Sequence, residues 1–467
     1  MKKAIPTNRK KLTSLLLAGV MTCTLPLTGC SNTKQPGADP TQGTPAATTA
    51  APTEAPTTVA PTEAPTQAPT TETPTQAPTT EAPTTEVPTD PEVLKDVSLT
   101  GQYNAFTMEV LKRSIATTDK NVMVSPLSIM VALSMTANGA SGETAEEMRS
   151  VLGGKLSMEQ LNQALQAYCN SLPSTDKVKL ARANAIWYMD SPETAIREDF
   201  LKLNQKYYSA GLFPTDFGPD TVNDINNWVS KNTDGMIKKL VEDLSPDCRM
   251  VLVNAILFDG KWAEEYYDDD IIKRTFTNAD KTKVEADMML STENKYLCDK
   301  NCTGFMKYYE GNRYAFVGLL PNEGTTPDEL IANMTADSLH DLLAGASSRE
   351  VHVRIPKFSF DYGIEMNDVL IDMGIQQAFD PNVADFSGMS EKERLFISKV
   401  IHKSRVEVSE KGTRAAAATA VIMDRCTAVM PEPVLEVFLD RPFVFMIVDT
   451  EQNLPIFIGR VNTLTEE

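Results

Sequence analysis

Histidine is scarce: only His340, His352 and His402 occur in 467 residues, far from one another along the chain. None belongs to an H-E-x-x-H motif, and the seven cysteines include no C-x-x-C pair. The usual zinc ligand sets are missing, so no metal and no other cofactor is expected. A G-x-S-x-G nucleophile elbow is also absent, which leaves a hydrolase without its machinery. Basic charge is in deficit too, with 44 Lys and Arg against 63 Asp and Glu and a formal net charge of −19. A protein that docks on nucleic acid or on a glycosaminoglycan needs a positive face, and neither partner is expected here.

The charge is uneven. Residues 1–30 carry five basic groups and no acid, residues 31–92 carry eight acids and one lysine, and the remainder holds −17. Lys2, Lys3, Arg9, Lys10 and Lys11 precede an apolar run from Leu12 to Leu27. That run is too short and wrongly flanked for a stable span, and reads as a secretory signal over residues 1–29. Its end, Leu27-Thr28-Gly29-Cys30, resembles the bacterial lipobox. The expectation is a diacylglyceryl group on Cys30, placing the mature protein on the extracellular face of a bacterial cell membrane. Residues 30–92 are mostly Pro, Thr, Ala and Glu, with Pro-Thr-Glu-Ala-Pro-Thr units starting at Pro52 and Pro61. Such a segment buries too little apolar surface to offset its entropy. It reads as a disordered stalk with a reach on the order of 190 Å in polyproline geometry.

Everything from residue 93 to 467 reads as one globular domain, ample for a sizeable core. Asn104–Leu111 has apolar residues at three- and four-residue spacing, a helical pattern. Val122–Val124 is β-like, and Ser125-Pro126 suits an N-cap and first helical turn for a helix through Met135. Further on, Val178–Ala185, Met250–Phe258, Tyr314–Leu320, Val351–Ile355, Val406–Val408, Val434–Phe438, Phe443–Val448 and Ile456–Val461 read as strands, and Val222–Asn232 as a helix. Helices early and strands late give an α+β class with mostly antiparallel sheets.

The most informative stretch runs from His402 to Ala420. A strand ends at Glu410, Gly412 allows a backbone reversal, and small residues follow. Glu410, Gly412, Thr413, then Ala415, Ala416, Ala417 and Ala418, ending in Thr419-Ala420, resemble the hinge signature of the serpin family. Other motifs agree in order: Asn121–Ser128, Gly139–Thr144, Leu252–Trp262, Arg441–Phe445 and Phe457–Val461. The resemblance covers about 370 residues. It implies a large central β-sheet with surrounding helices and an exposed reactive-centre loop, and it implies a protease inhibitor rather than an enzyme. In that mechanism a serine protease attacks the loop, forms an acyl-enzyme, and is trapped when the hinge inserts into the sheet. Alternate residues of an inserted strand face the core; from Thr413 these are Thr413, Ala415, Ala417 and Thr419, all small and uncharged. Arg414 falls on the other parity.

The resemblance also assigns supporting residues. Ser125, Ser128, Asn254 and His402 match a polar cluster beneath the opening strands, which makes His402 a switch-network residue and not a catalytic base. Trp262 matches the aromatic at the loop's entry point, and Lys357 matches a lysine that pairs with the hinge acid, here Glu410. Counting from the hinge places the scissile bond between Cys426 and Thr427. A count back from Pro442-Phe443 gives a later place, near Met430-Pro431. Cys426 suits elastase-like pockets, which are favoured; Arg425 suits a trypsin-like protease, and Met423 is a weaker alternative. Cys298 and Cys302 are either a disulfide or two thiols. The chain is expected to be a monomer whose only membrane contact is the lipid. The competing readings are a non-inhibitory serpin-fold binding protein and a stalked cell-surface adhesin.

Overall fold

The computed structural model describes residues 99–413 and 434–465, all within the second of the two units into which the chain divides, residues 84–467. Cys30, the Pro/Thr-rich segment, Ala415–Thr419, Met423, Arg425 and the Cys426–Thr427 bond lie outside the described residues.

The early helical reading corresponds to α1 (Leu99–Ala116), α2 (Pro126–Ala137), α3 (Gly142–Gly153) and α4 (Met158–Ser171). Ser125 caps α2 as its residue type suggests: its backbone is extended and its hydroxyl accepts the Ser128 N–H. Pro126, the first residue of the helix, has no N–H to leave unpaired. Nearly every side chain of α2 is buried, so this helix runs through the interior and carries no polar face. The later helices are α5 (Glu198–Tyr208), α6 (Thr221–Asn232), α7 (Pro327–Asn333), α8 (Ala336–Ala344) and α9 (Asn367–Met373).

Three sheets organise the strands. The first has the order β11 (Phe358–Glu365), β12 (Ile401–Ser409), β13 (Gly412–Thr413), β4 (Met250–Lys261), β2 (Val178–Met189) and β3 (Gly211–Thr215). The second runs β1 (Val122–Val124), β16 (Leu454–Val461), β15 (Phe443–Asp449), β9 (Tyr314–Pro321), β8 (Cys302–Tyr308) and β7 (Tyr296–Cys298). The third is β14 (Leu435–Phe438), β10 (Val351–Pro356), β6 (Lys283–Glu293) and β5 (Ile271–Thr277). Pairing is antiparallel except for β2 with β3 and β10 with β14. Residues of β15 and β16 are buried throughout, which explains why both are nearly all apolar, with Asp449 and Arg460 as the charged exceptions: both faces of the second sheet are covered.

The first sheet has a different partner on each face. On one side Trp187, Val253, Ile225, Val229 and Val241 form a small cluster beneath α6. The other side contributes Ile186, Phe258, Val406 and Val408 to the main core, shared with α1, α2 and the second sheet. Strand β12 extends well beyond Val406–Val408, back to Ile401, and its even-numbered residues from His402 to Val408 point inward. Two of the inward side chains, His402 and Ser404, are polar, so the apolar alternation that marks a strand fades just where the strand continues.

One buried cation ties the second sheet to its surroundings. Arg460, fully buried in β16, pairs with Asp328 of α7 and donates to the carbonyl of Thr118 and, at 3.4 Å, to those of Ile115 and Lys120. Truncation would leave a cavity at a fully buried position and take the shared donor from these acceptors. Arg460→Ala is expected to cost about 3 kcal/mol or more, read as a lowered midpoint with unchanged slope in denaturant titration.

Candidate functional site

The first sheet is incomplete at its centre. Gly412 and Thr413 pair with Ser409 and Val408 of β12 on one side and with Lys261 and Gly260 of β4 on the other, antiparallel to both. Strands β4 and β12 therefore run parallel, and among the described residues no ladder joins them below Thr413. The seam is lined by Ile256, Leu257 and Phe258 on one side, Ser404 to Val406 on the other, and Thr413 at its head. It encloses only about 20 Å³, room for roughly one water, so a strand could enter only if the sheet parted. Thr233, Met236 and Ile237, from the segment after α6, close it from above, and Lys403 of β12 donates to the Lys239 carbonyl in the same segment at 3.0 Å.

Gly412 permits the entry at the head. Its φ is +141°, and a Cβ there would lie 2.1 Å from the Gly260 carbonyl oxygen. Only glycine lets the chain press this closely on β4. The turn that precedes it is held by the segment after β4. Trp262 Nε1 donates to the Ser409 carbonyl at 2.9 Å and its backbone N–H to Lys411 at 3.3 Å, while the Tyr266 N–H donates to the Glu410 carbonyl at 3.1 Å. Lys357 Nζ lies 2.9 Å from Glu410 Oε2, and this hydrogen bond holds the Glu410 carboxyl below its ordinary range. Both side chains are about one quarter exposed, so the pair contributes under ~1 kcal/mol.

Beneath the seam lies a polar network that reaches both of its strands. The Ser125 N–H donates to His402 Nε2 of β12 at 3.2 Å, and Ser125 Oγ donates to the Ile456 carbonyl at 2.9 Å. The Ser128 hydroxyl donates to Asn254 Oδ1 of β4. Asn254 Nδ2 then donates to Asn184 Oδ1 of β2 at 2.6 Å, and Asn184 to the Tyr208 carbonyl at 2.7 Å. The N-terminal turn of α2 thus grips β12 through Ser125 and β4 through Ser128. Asn184 was not picked out from sequence, although a lone Asn among the apolar residues of a central strand is the kind of signal that marks it. Tyr309, discussed below, follows an unremarkable strand end and carried no such signal.

His402 is buried, and desolvation lowers its pKa from 6.5 to about 4. With Nε2 accepting an N–H, the ring is neutral with its proton on Nδ1. Cys298 and Cys302 are free thiols. Cys298 faces Thr303 across the hairpin, so Cys302, the next residue along, points to the opposite face of the strand; it is buried and Cys298 exposed. Cys169 and Cys248 are also free and partly buried. Among the described residues no group of three or more His, Cys, Asp or Glu could hold a metal ion, and no helix is long and apolar enough to cross a membrane.

Among the described residues the first sheet has no ladder between β4 and β12, and a glycine hinge enters at its head. The comparisons name the class: residues 101–464 match the family model described as Serpin (serine protease inhibitor), and the chain belongs to the serpin family. It is 35% identical over 364 residues to an uncharacterized serpin-like protein of Thermococcus kodakarensis, covering 77% of this chain and 84% of that one. It is 33% identical over 358 residues to leukocyte elastase inhibitor A of Mus musculus, covering 73% and 92%. The crystal structure of the thermophilic serpin tengpin in its native state superposes with a TM-score of 0.74 at 39% identity, over 81% of this chain and 96% of that one.

The histidine makes acid a destabilising agent. His402 binds a proton near pH 6.5 when unfolded and only near pH 4 when folded. Its contribution is full above pH 6.5 and is lost as pH falls towards 4, a loss on the order of 3 kcal/mol. Urea unfolding at pH 7.5 and 4.5 is expected to show this loss in the wild type and a smaller one in His402→Gln.

Proposed function

We propose that the chain is an irreversible suicide-substrate inhibitor of serine proteases, acting as a monomer, with elastase-like enzymes favoured and trypsin-like enzymes second. The observation that carries this reading is β13: two residues of the hinge occupy the first two positions of a strand between β4 and β12, which no ladder joins further down among the described residues. Thr413 is buried there, so period two places Ala415, Ala417 and Thr419 inward if the strand is extended. These are small neutral side chains, suited to a narrow seam lined by Ile256, Phe258 and Val406. Cleavage between Cys426 and Thr427 would release about fourteen residues, roughly 45 Å of strand, and an acyl-linked protease would travel with them. Arg425 is the alternative bait, with Met423 behind it. The similarity to leukocyte elastase inhibitor A agrees in class with a small, moderately apolar bait residue. The polar network of Ser125, Ser128, Asn254 and His402 serves to keep the seam satisfied while it parts.

Incubation of the full chain with an elastase-like protease is expected to give a complex that survives SDS, and a C-terminal fragment beginning at Thr427. Thr413→Arg should leave loop cleavage intact and abolish the complex, because a guanidinium cannot enter that buried position without a partner. Cleavage by both protease classes with no complex in the wild type would instead leave the chain as a serpin-fold binding protein or adhesin.

The proposed place of action is outside the cell, on the membrane surface. Cys30 would carry the lipid, and residues 31–92 would hold the inhibitor away from the bilayer. In a bacterial host, Cys30→Ser is expected to abolish metabolic labelling with a fatty acid and to move the protein from membrane to medium. Labelling that persists in the variant would remove Cys30 as the anchor.

A further inference from the structure

We propose that Tyr309 is a positioning residue for the hinge, its phenol holding Thr413 at the head of the seam between β4 and β12 before any protease arrives. The two hydroxyls lie 2.6 Å apart, and both residues are buried. A buried hydroxyl without a partner costs about 1–3 kcal/mol, so this pair is mutually dependent: undocking Thr413 strands the phenol. Burial also pushes the Tyr309 pKa up, which keeps the group protonated and able to donate.

The ring has little freedom to follow a departing hinge. It stacks on Trp262 at 4.6 Å and 13°, and meets the edge of Phe258 at 4.7 Å. A Cβ on Gly260 would lie 2.7 Å from the Phe258 ring and 2.9 Å from that of Tyr309, so the aromatic group closes right down on β4. Trp262 in turn holds the carbonyls of Ser409 and Lys411. Lys307 lies 5.5 Å from the Trp262 ring and is paired at 3.0 Å with Glu293, both largely buried, which fixes the platform from the far side. Turn, tryptophan, tyrosine and threonine form one assembly, which Thr413 joins from the hinge.

This inference rests on the inhibitor reading for its consequence: a strand that grows from a docked Thr413 needs no new nucleus, and one that must first re-dock loses time to deacylation. Two measurements on the full chain separate the ideas. Amide exchange over Ser409–Thr413 reads docking without a protease. Tyr309→Phe keeps the stacked ring and removes only the hydroxyl; exchange there is expected to rise about fivefold, as for loss of one hydrogen bond. Thr413→Val should match it, and the double variant should show no further rise. Equal rates in wild type and Tyr309→Phe, or a second full increase in the double variant, would overturn the latch. The second measurement is the number of inhibitor molecules consumed per trapped protease, expected to rise severalfold in Tyr309→Phe while the rate of the first attack on the loop stays the same. An unchanged number beside faster exchange would overturn its part in trapping. A wild type that traps no protease sinks the inhibitor reading, and the exchange result still decides whether Tyr309 holds the hinge.

Discussion

The constraint on which the rest depends is that β4 and β12 run parallel and are not joined. Closing the seam directly would give one parallel ladder; adding a strand between them gives two antiparallel ladders, each somewhat more stable per residue. Gly412 and Thr413 take the first two places of such a strand. The segment from Thr233 to Ile237 above and the network on α2 below both bear on this seam, so its opening involves the region of α6 as well as the sheet.

The polar network resolves a problem of wetting. If the strands part, groups that faced a dry interior must find partners quickly, and serines at a helix N-terminus facing asparagines on the strands can exchange theirs over short distances. A purely apolar floor would pack better and would make a one-way transition harder to begin. His402 fits because its ring is held neutral and accepts from a backbone N–H, an arrangement that asks for no charge in the interior.

Much of this was legible in the chain. At Glu410, Gly412 and Thr413 the residues alone spoke for a strand end and a backbone reversal before a run of small residues, which an Ala-rich helix or a low-complexity loop would also fit; that this is a hinge came from the resemblance. Trp262, Lys357 and His402 came from resemblance, and the structure places the first two at the head of the seam and the third beneath it. Strand β12 was seen only in its last third because His402 and Ser404 interrupt its apolar face, and they do so because they belong to the network. Tyr309 and Asn184 stayed hidden for another reason: their roles arise from neighbours more than 60 residues away, Thr413 for one and Asn254 for the other. The short elements β3, β5, β7 and α7 offer few residues to carry a periodicity, and the longer β6 and α5 went unread as well.

The clamp on Ser409, Glu410 and Lys411 has a mechanical meaning. Under the proposed insertion, a turn held at three successive carbonyls would act as a fixed pulley: chain drawn over it would move only on the far side, and the near strand, β12, would stay where it is. The stroke would then be bounded by the length of the track as well as by the roughly 45 Å between hinge and bait. Strand β4 has twelve residues, about 40 Å at strand rise, so residues beyond that distance add slack and no travel. A loop with a long distal half, as between Thr427 and Pro442, can vary in length there without altering how far its cargo is carried.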